Sequence, residues 1–383
     1  MNSSPSPSPL SGYVREFDGF RGLAILAVMV HHFWPRSGPL AAHSAIPHLG
    51  WVGVDLFFVL SGCLITGILL DTRGSAGYFK NFYARRVLRI FPLYFLFVAA
   101  AYILIPRLQA ATNPGEFVQE SGPAWWYLLY LGNLREALTG SAPAYVLAPT
   151  WSLCIEEQFY VAFPLLVAAL PVYRLRLLLW VLVCFAPAFR LATAIWWVEN
   201  ERIQYLFTLS RVDTLALGGL LALAFRGYAA VPGKRATGIL LPIVSLVFVG
   251  VFVTGGLDRT TWFGRVAGYT VVGFTMWVLV AWAIHRRGTA PTSWLRWTPL
   301  TGLGTICYGI YLLQRPAEVV LGKLAVRYAP GCFDPDTVTG FLAKCAVAVI
   351  AGGASWFLIE CPILRLKSLF VSPRHPALTP PDC

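Results

Sequence analysis

The chain alternates long apolar runs with short polar stretches, and most of the runs are about as long as a lipid bilayer is thick. A helix crossing the hydrocarbon core needs about 20 mostly apolar residues. Ten segments approach that pattern, at approximately 18–35, 50–70, 89–106, 149–170, 176–197, 205–226, 237–255, 264–285, 302–322 and 340–360. They predict an all-α fold, a polytopic transmembrane helix bundle of about ten spans with no separate soluble domain. The first span is the weakest, because its unbroken apolar core runs only from Leu23 to Val30. The longest connection, about 107–148, carries Asn113-Pro114-Gly115 and Pro143 as loop signals. Its WWYLLYLG stretch is too short to span and is expected at the membrane interface. The organisation expected is therefore a disordered Ser/Pro-rich terminus over 1–13, a membrane domain over 14–365 and a tail over 366–383.

Composition removes the soluble alternative. Of 383 residues, 57% are apolar and only 13% charged, against roughly 25% charged in a typical soluble domain. A formal net charge of +12 suits nucleic acid at first sight, but the basic residues are scattered between apolar runs, so no nucleic-acid partner is expected. With the N-terminus in the cytoplasm, 18 of the 30 Lys and Arg fall in cytoplasmic segments or near them. This bias predicts a multi-pass cell-membrane protein, in contact with membrane lipids, with both termini cytoplasmic. The eight Cys show no CxxC spacing, and only Cys332 falls plainly in an external loop. Neither a disulfide framework nor a metal site is expected. The first residues lack the basic and apolar regions of a signal peptide.

Ionisable groups at membrane depth are costly and default to functional suspicion. Arg21 and His32 are eleven residues apart, which on an ideal helix brings them within about 20° of one another and about 16 Å apart along the axis. They either share a polar face or mark a short helix whose outer end carries His31 and His32. Asp55 sits in an apolar run and needs a partner, as the mate of an arginine or as a cap. Arg86 and Arg89 share a face at a membrane boundary. There they suit a phosphorylated ligand or, as topology anchors, lipid phosphates. Glu156 and Glu157 open an apolar helix about 100° apart. One could orient a histidine while the other pairs with an arginine, although acids also favour helix N-termini. Arg211 and Asp213 read as a local ion pair, Gln314-Arg315-Pro316 as an interruption of the ninth span, and Glu360 as a helix-end anchor or a partner for a basic residue.

Seven motifs then stand in order: DGFRGLAILAVMVHH, GVDLFFVLSGCLIT, FYARRVLRIFPLY, WSLCIEEQFYVAFP, RVDTLALGGLLA, CYGIYLLQRP and IECP. Together they resemble the acyltransferase 3 family, integral-membrane O-acyltransferases acting on lipopolysaccharide, exopolysaccharide, Nod factors, macrolides and similar acceptors. The resemblance runs from about residue 14 to 365. It implies that His32 is essential for transfer and that Arg21, Arg86 and Arg89 handle acyl-CoA, with acetyl-CoA the expected donor and a sugar or other hydroxyl-bearing molecule the acceptor. Asp55, Ser61, Trp151, Tyr308, Gln314 and Glu360 are expected to support the site. One departure is Gln314, where many members carry a histidine. Another is the lack of a C-terminal SGNH esterase-like domain, which leaves the acceptor class open.

The mechanism expected has neutral His32 as base, Glu156 or Glu157 steadying the imidazolium, and Arg86 and Arg89 gripping phosphate at a cytosolic mouth. An acyl-histidine intermediate is a covalent variant. The rival classes are a transporter or flippase without acyl transfer and a non-catalytic membrane receptor or scaffold.

Overall fold

The computed structural model describes residues 12–35, 47, 49–108, 114–198, 200–328 and 334–370. Most of the expected N-terminal segment, Cys332 and the end of the tail lie outside them. Among the described residues there are helices and connections but no strand. Ten long helices carry the architecture: α1 (Arg15–Phe33), α2 (Val52–Thr72), α3 (Tyr78–Leu108), α4 (Thr150–Ala169), α5 (Val172–Trp196), α6 (Thr208–Ala224), α7 (Lys234–Val253), α8 (Tyr269–His285), α9 (Cys307–Tyr328) and α10 (Val338–Ser355). The segments containing α2 to α8 and α10, eight in all, are long and apolar enough to cross a membrane. The other two, α1 and α9, are long but diluted by charge, α1 by Arg15, Glu16, Asp18 and Arg21 and α9 by Arg315, Glu318, Lys323 and Arg327.

Helix α6 is the axis of the bundle, buried at every position from Ser210 to Ala224 and flanked by α2, α5 and α8. Lipid tails are as apolar as leucine, so close backbone packing must substitute for a hydrophobic drive between helices. Gly62 and Gly218 provide it at the α2–α6 crossing. A Cβ on Gly62 would lie 2.0 Å from the Leu215 carbonyl oxygen, and one on Gly218 would lie 2.1 Å from that of Val59. At the periphery, α7 packs on α8 and exposes Ile239, Ile243, Leu246 and Val253, an exterior suited to lipid. Trp125–Leu128 forms a single turn that buries Tyr127 and leaves Trp125 exposed.

One expectation needs correction. The ninth span is broken at Ile306, between a short helix Thr298–Thr305 and α9, and not at Pro316. Helix α9 continues through Pro316, as membrane helices tolerate a proline when neighbours satisfy the freed backbone groups. Helix α10 runs on without a break through the expected end of the tenth span, widening over Trp356–Glu360 and passing through Cys361–Leu364 into a tight turn at Arg365–Phe370.

Gly62→Leu is expected to lower stability in detergent by about 1–3 kcal/mol or more, because a side chain must enter backbone-to-backbone contact. Gly250 on α7 has nothing within 4 Å of an added Cβ. Gly250→Leu should therefore stay within about 0.5 kcal/mol of the parent. Paired melting curves of the two variants check the contrast.

Candidate active site

Two recesses enter the bundle from opposite ends. The first is lined by the start of α1 (Asp18, Arg21), the second half of α2 (Ser61 to Thr72), the start of α3 (Arg85, Arg86, Arg89), the middle of α4 (Ser152, Glu156, Tyr160) and the start of α9 (Cys307, Tyr308, Tyr311). The second is lined by the far end of α1 (His31, His32), the start of α2 (Trp51, Val54), Trp151, Glu136, Arg202, Tyr205, Arg259, Tyr269 and again Tyr311. Mouths included, they enclose about 1950 and about 1240 Å³. Val54 and Tyr311 line both. These two side chains form the partition where the recesses meet. Tyr311 is held there by its hydroxyl, 2.6 Å from Ser152 Oγ.

In the first recess Arg21 pairs with Asp18 at 2.6 Å, and Arg226 pairs with Asp71. Arg86 lies 5.9 Å from the ring centres of both Phe82 and Tyr160, and its Nε is buried without a partner. Tyr308 donates from its hydroxyl to the Ile90 carbonyl at 2.8 Å, tying α9 to the arginine-bearing part of α3. Glu360 accepts from Ser355 at 2.9 Å within its own segment.

His32 belongs to the second recess. Its Nδ1 lies 3.0 Å from Gln314 Oε1, while Gln314 Nε2 donates to the Tyr311 carbonyl at 3.0 Å. That second bond fixes which way the amide points. An amide oxygen can only accept, so His32 Nδ1 must carry the hydrogen, and the neutral ring keeps its lone pair on Nε2. Glutamine at position 314 thus selects the tautomer a base needs.

The glutamates do something else. Glu156 accepts from Ser61 at 2.9 Å and from Tyr160 at 3.1 Å, in the arginine recess. Glu157 is buried with Oε1 unpartnered and lines neither recess. The expected carboxylate support of His32 is therefore corrected: the hydrogen bond to the imidazole comes from α9, not α4. Arg21 and His32 share α1 but face different recesses, one at each end.

The expected local pair of Arg211 with Asp213 is also wrong. Residues two apart on a helix point about 200° from one another. Arg211 instead pairs with Asp55 at 2.8 Å, and Asp213 with Arg190 at 3.0 Å, all four fully buried or nearly so. Asp55 thus takes the arginine mate anticipated for it. The Arg211 guanidinium sits 4.4 Å from the Tyr269 ring centre, 5.4 Å from Tyr205 and 5.8 Å from Trp151. Those three rings wall the second recess, so the ion pair braces that wall from behind. Residues not singled out in the sequence are Tyr160, Ser152, Tyr311, Arg259 and Lys367. Tyr160, Ser152 and Tyr311 lie inside quoted motifs, and nothing in their spacing marks them.

Fold and site together define a polytopic helical membrane protein with a cationic recess at one end, a histidine-bearing recess at the other, and two side chains between. The family model described as "Acyltransferase domain" matches residues 14–357, and the chain belongs to that family. YrhL of Bacillus subtilis (strain 168) is 28% identical over 92% of this chain and 55% of its own length. "Peptidoglycan O-acetyltransferase OatA" of Listeria monocytogenes serovar 1/2a is 27% identical over 92% of this chain and 56% of its own. "O-acetyltransferase OatA" of Staphylococcus aureus (strain NCTC 8325 / PS 47) is 26% identical over 92% and 57%. The chain spans a little over half the length of these relatives. No solved structure matches it.

Asp55→Leu strands the Arg211 charge and is expected to cost about 3–5 kcal/mol. Adding Arg211→Met should recover part of that loss. Equal or additive costs in a denaturation cycle would show that the pair is not coupled.

Proposed function

We propose that the protein transfers an acetyl group from acetyl-CoA to a hydroxyl of a glycan, with the donor in the arginine recess and the acceptor in the histidine recess. The observation that carries the reading is the shared partition: Val54 and Tyr311 line both recesses. A thioester reaching from one end and a hydroxyl arriving from the other therefore approach the same point. The names of the OatA relatives support acetyl as the group and a peptidoglycan-like sugar as the acceptor.

In this mechanism His32 Nε2 takes the acceptor hydroxyl proton as that oxygen attacks the thioester carbonyl carbon. The tetrahedral adduct collapses, the carbon–sulfur bond breaks, and the imidazolium returns its proton to the departing thiolate sulfur. The hydrogen-bonded Tyr311–Ser152 pair stands beside the meeting point, and the one hydroxyl hydrogen not used between them is a donor for the oxyanion. Arg86 and Arg89 hold donor phosphate, and the arginine end faces the cytosol, where such a donor is found. A transporter explains two recesses equally well, but membership of the acyltransferase family weighs against it.

His32→Ala is expected to lower the transfer rate by at least about 10²–10⁴-fold, the usual worth of a general base, without loss of insertion or donor binding. Turnover of labelled acetyl-CoA by purified protein reads this, and unchanged turnover would remove His32 from the role. Gln314→Leu should depress kcat more than donor KM, because the ring loses its tautomer lock. Arg86→Gln should raise donor KM and leave kcat largely intact. Steady-state kinetics of the two variants separate the roles, and the opposite pattern would reverse them.

A further inference from the structure

Six cations line the first recess: Arg21, Arg85, Arg86, Arg89, Arg226 and Lys367. Two are neutralised, Arg21 by Asp18 and Arg226 by Asp71. For the other four no acid lies within ion-pair distance among the described residues. The remaining carboxylate in the lining, Glu156, is occupied by Ser61 and Tyr160. Lys367 comes from far along the chain, on the Arg365–Phe370 turn that packs against α3. Its side chain lines the same recess as Arg21, Arg85, Arg86 and Arg89. Four like charges converging on one void with no carboxylate in direct contact are unfavourable unless an anion fills the space.

We infer that Lys367 and Arg85 complete, with Arg86 and Arg89, a site for a phosphate-bearing group of the donor, and that the Arg365–Phe370 turn is the strap that closes it. The inference rests on the donor reading above and deepens it. Three guanidinium forks and one ammonium suit a polyphosphate, since arginine grips phosphate oxygens in pairs while lysine adds a mobile point charge. The site also constrains the donor's shape. Arg21, in the same recess, stands eleven residues from His32, a rise of about 16 Å. The cationic recess and His32 thus lie toward opposite ends of α1, so a donor with an arm between its phosphate and its carbonyl suits the arrangement better than a short acyl phosphate.

The test measures binding to the purified full chain in detergent by thermal shift and equilibrium titration. The probes are coenzyme A, inorganic pyrophosphate and phosphatidylglycerol vesicles, with the parent, Lys367→Gln and Lys367→Arg. Coenzyme A and pyrophosphate are expected to stabilise the parent. Lys367→Gln should weaken both by about tenfold, the order of one charge-assisted hydrogen bond, and Lys367→Arg should restore them. If the parent binds coenzyme A and Lys367→Gln binds it equally, the strap is overturned while the donor reading stands. If neither soluble probe binds the parent, the donor reading falls with it. A dependence on Lys367 seen only with the vesicles would make the site a lipid headgroup site and overturn the assignment to the donor.

Discussion

Two buried ion pairs that cross through α6 hold the bundle in register. Arg211 and Asp213 lie nearly back to back on that helix, so each reaches a different neighbour, Asp55 on α2 and Arg190 on α5. Arg190 also donates to the Val266 carbonyl at 2.9 Å and to Thr270, extending the tie to α8 and the turn before it. In lipid, apolar faces do not choose among partners, so polar contacts and glycine crossings must specify which helix meets which. Here the two devices coincide on the α2–α6 pair. Its glycines set the distance and its ions set the rotation.

The histidine recess depends on that framework. Trp151, Tyr205 and Tyr269 surround the Arg211 guanidinium and also form the recess wall. On the opposite side Gln158 ties α4 to Tyr130 and Asn133 at 2.8 and 2.9 Å, and Asn133 reaches the Leu206 carbonyl at 3.0 Å. These bonds seat the connection between α3 and α4 over the end of the bundle. The walls of the histidine recess are thus anchored in polar contacts inside the bundle, not in the lipid boundary.

Hydropathy made the helices legible because every span leaves an apolar run, and the charged interruptions marked α1 and α9 as unusual. Those are the two helices that meet at His32 and Gln314. The family motifs supplied His32, Arg86 and Arg89 directly. Partnerships between distant segments were hidden. Helix phase put Arg21 and His32 on one side of α1, but phase carries no record of which void each end of the helix faces. Adjacent charges such as Arg211 and Asp213 suggested a local pair, although their angular separation already argued against one. The sequence offers Glu156 or Glu157 to steady the imidazole, whereas the amide of Gln314 bonds it here. Lys367 is not legible from spacing, since the turn that carries it returns to α3 from a distant part of the chain.

The sharing of Val54 and Tyr311 by the two recesses has an electrical consequence. With water in the hollow on each side, a voltage across a bilayer falls over a shorter path than the full hydrocarbon depth of about 30 Å. A charge beside those two side chains then experiences a more concentrated field than one inside an unbroken bundle.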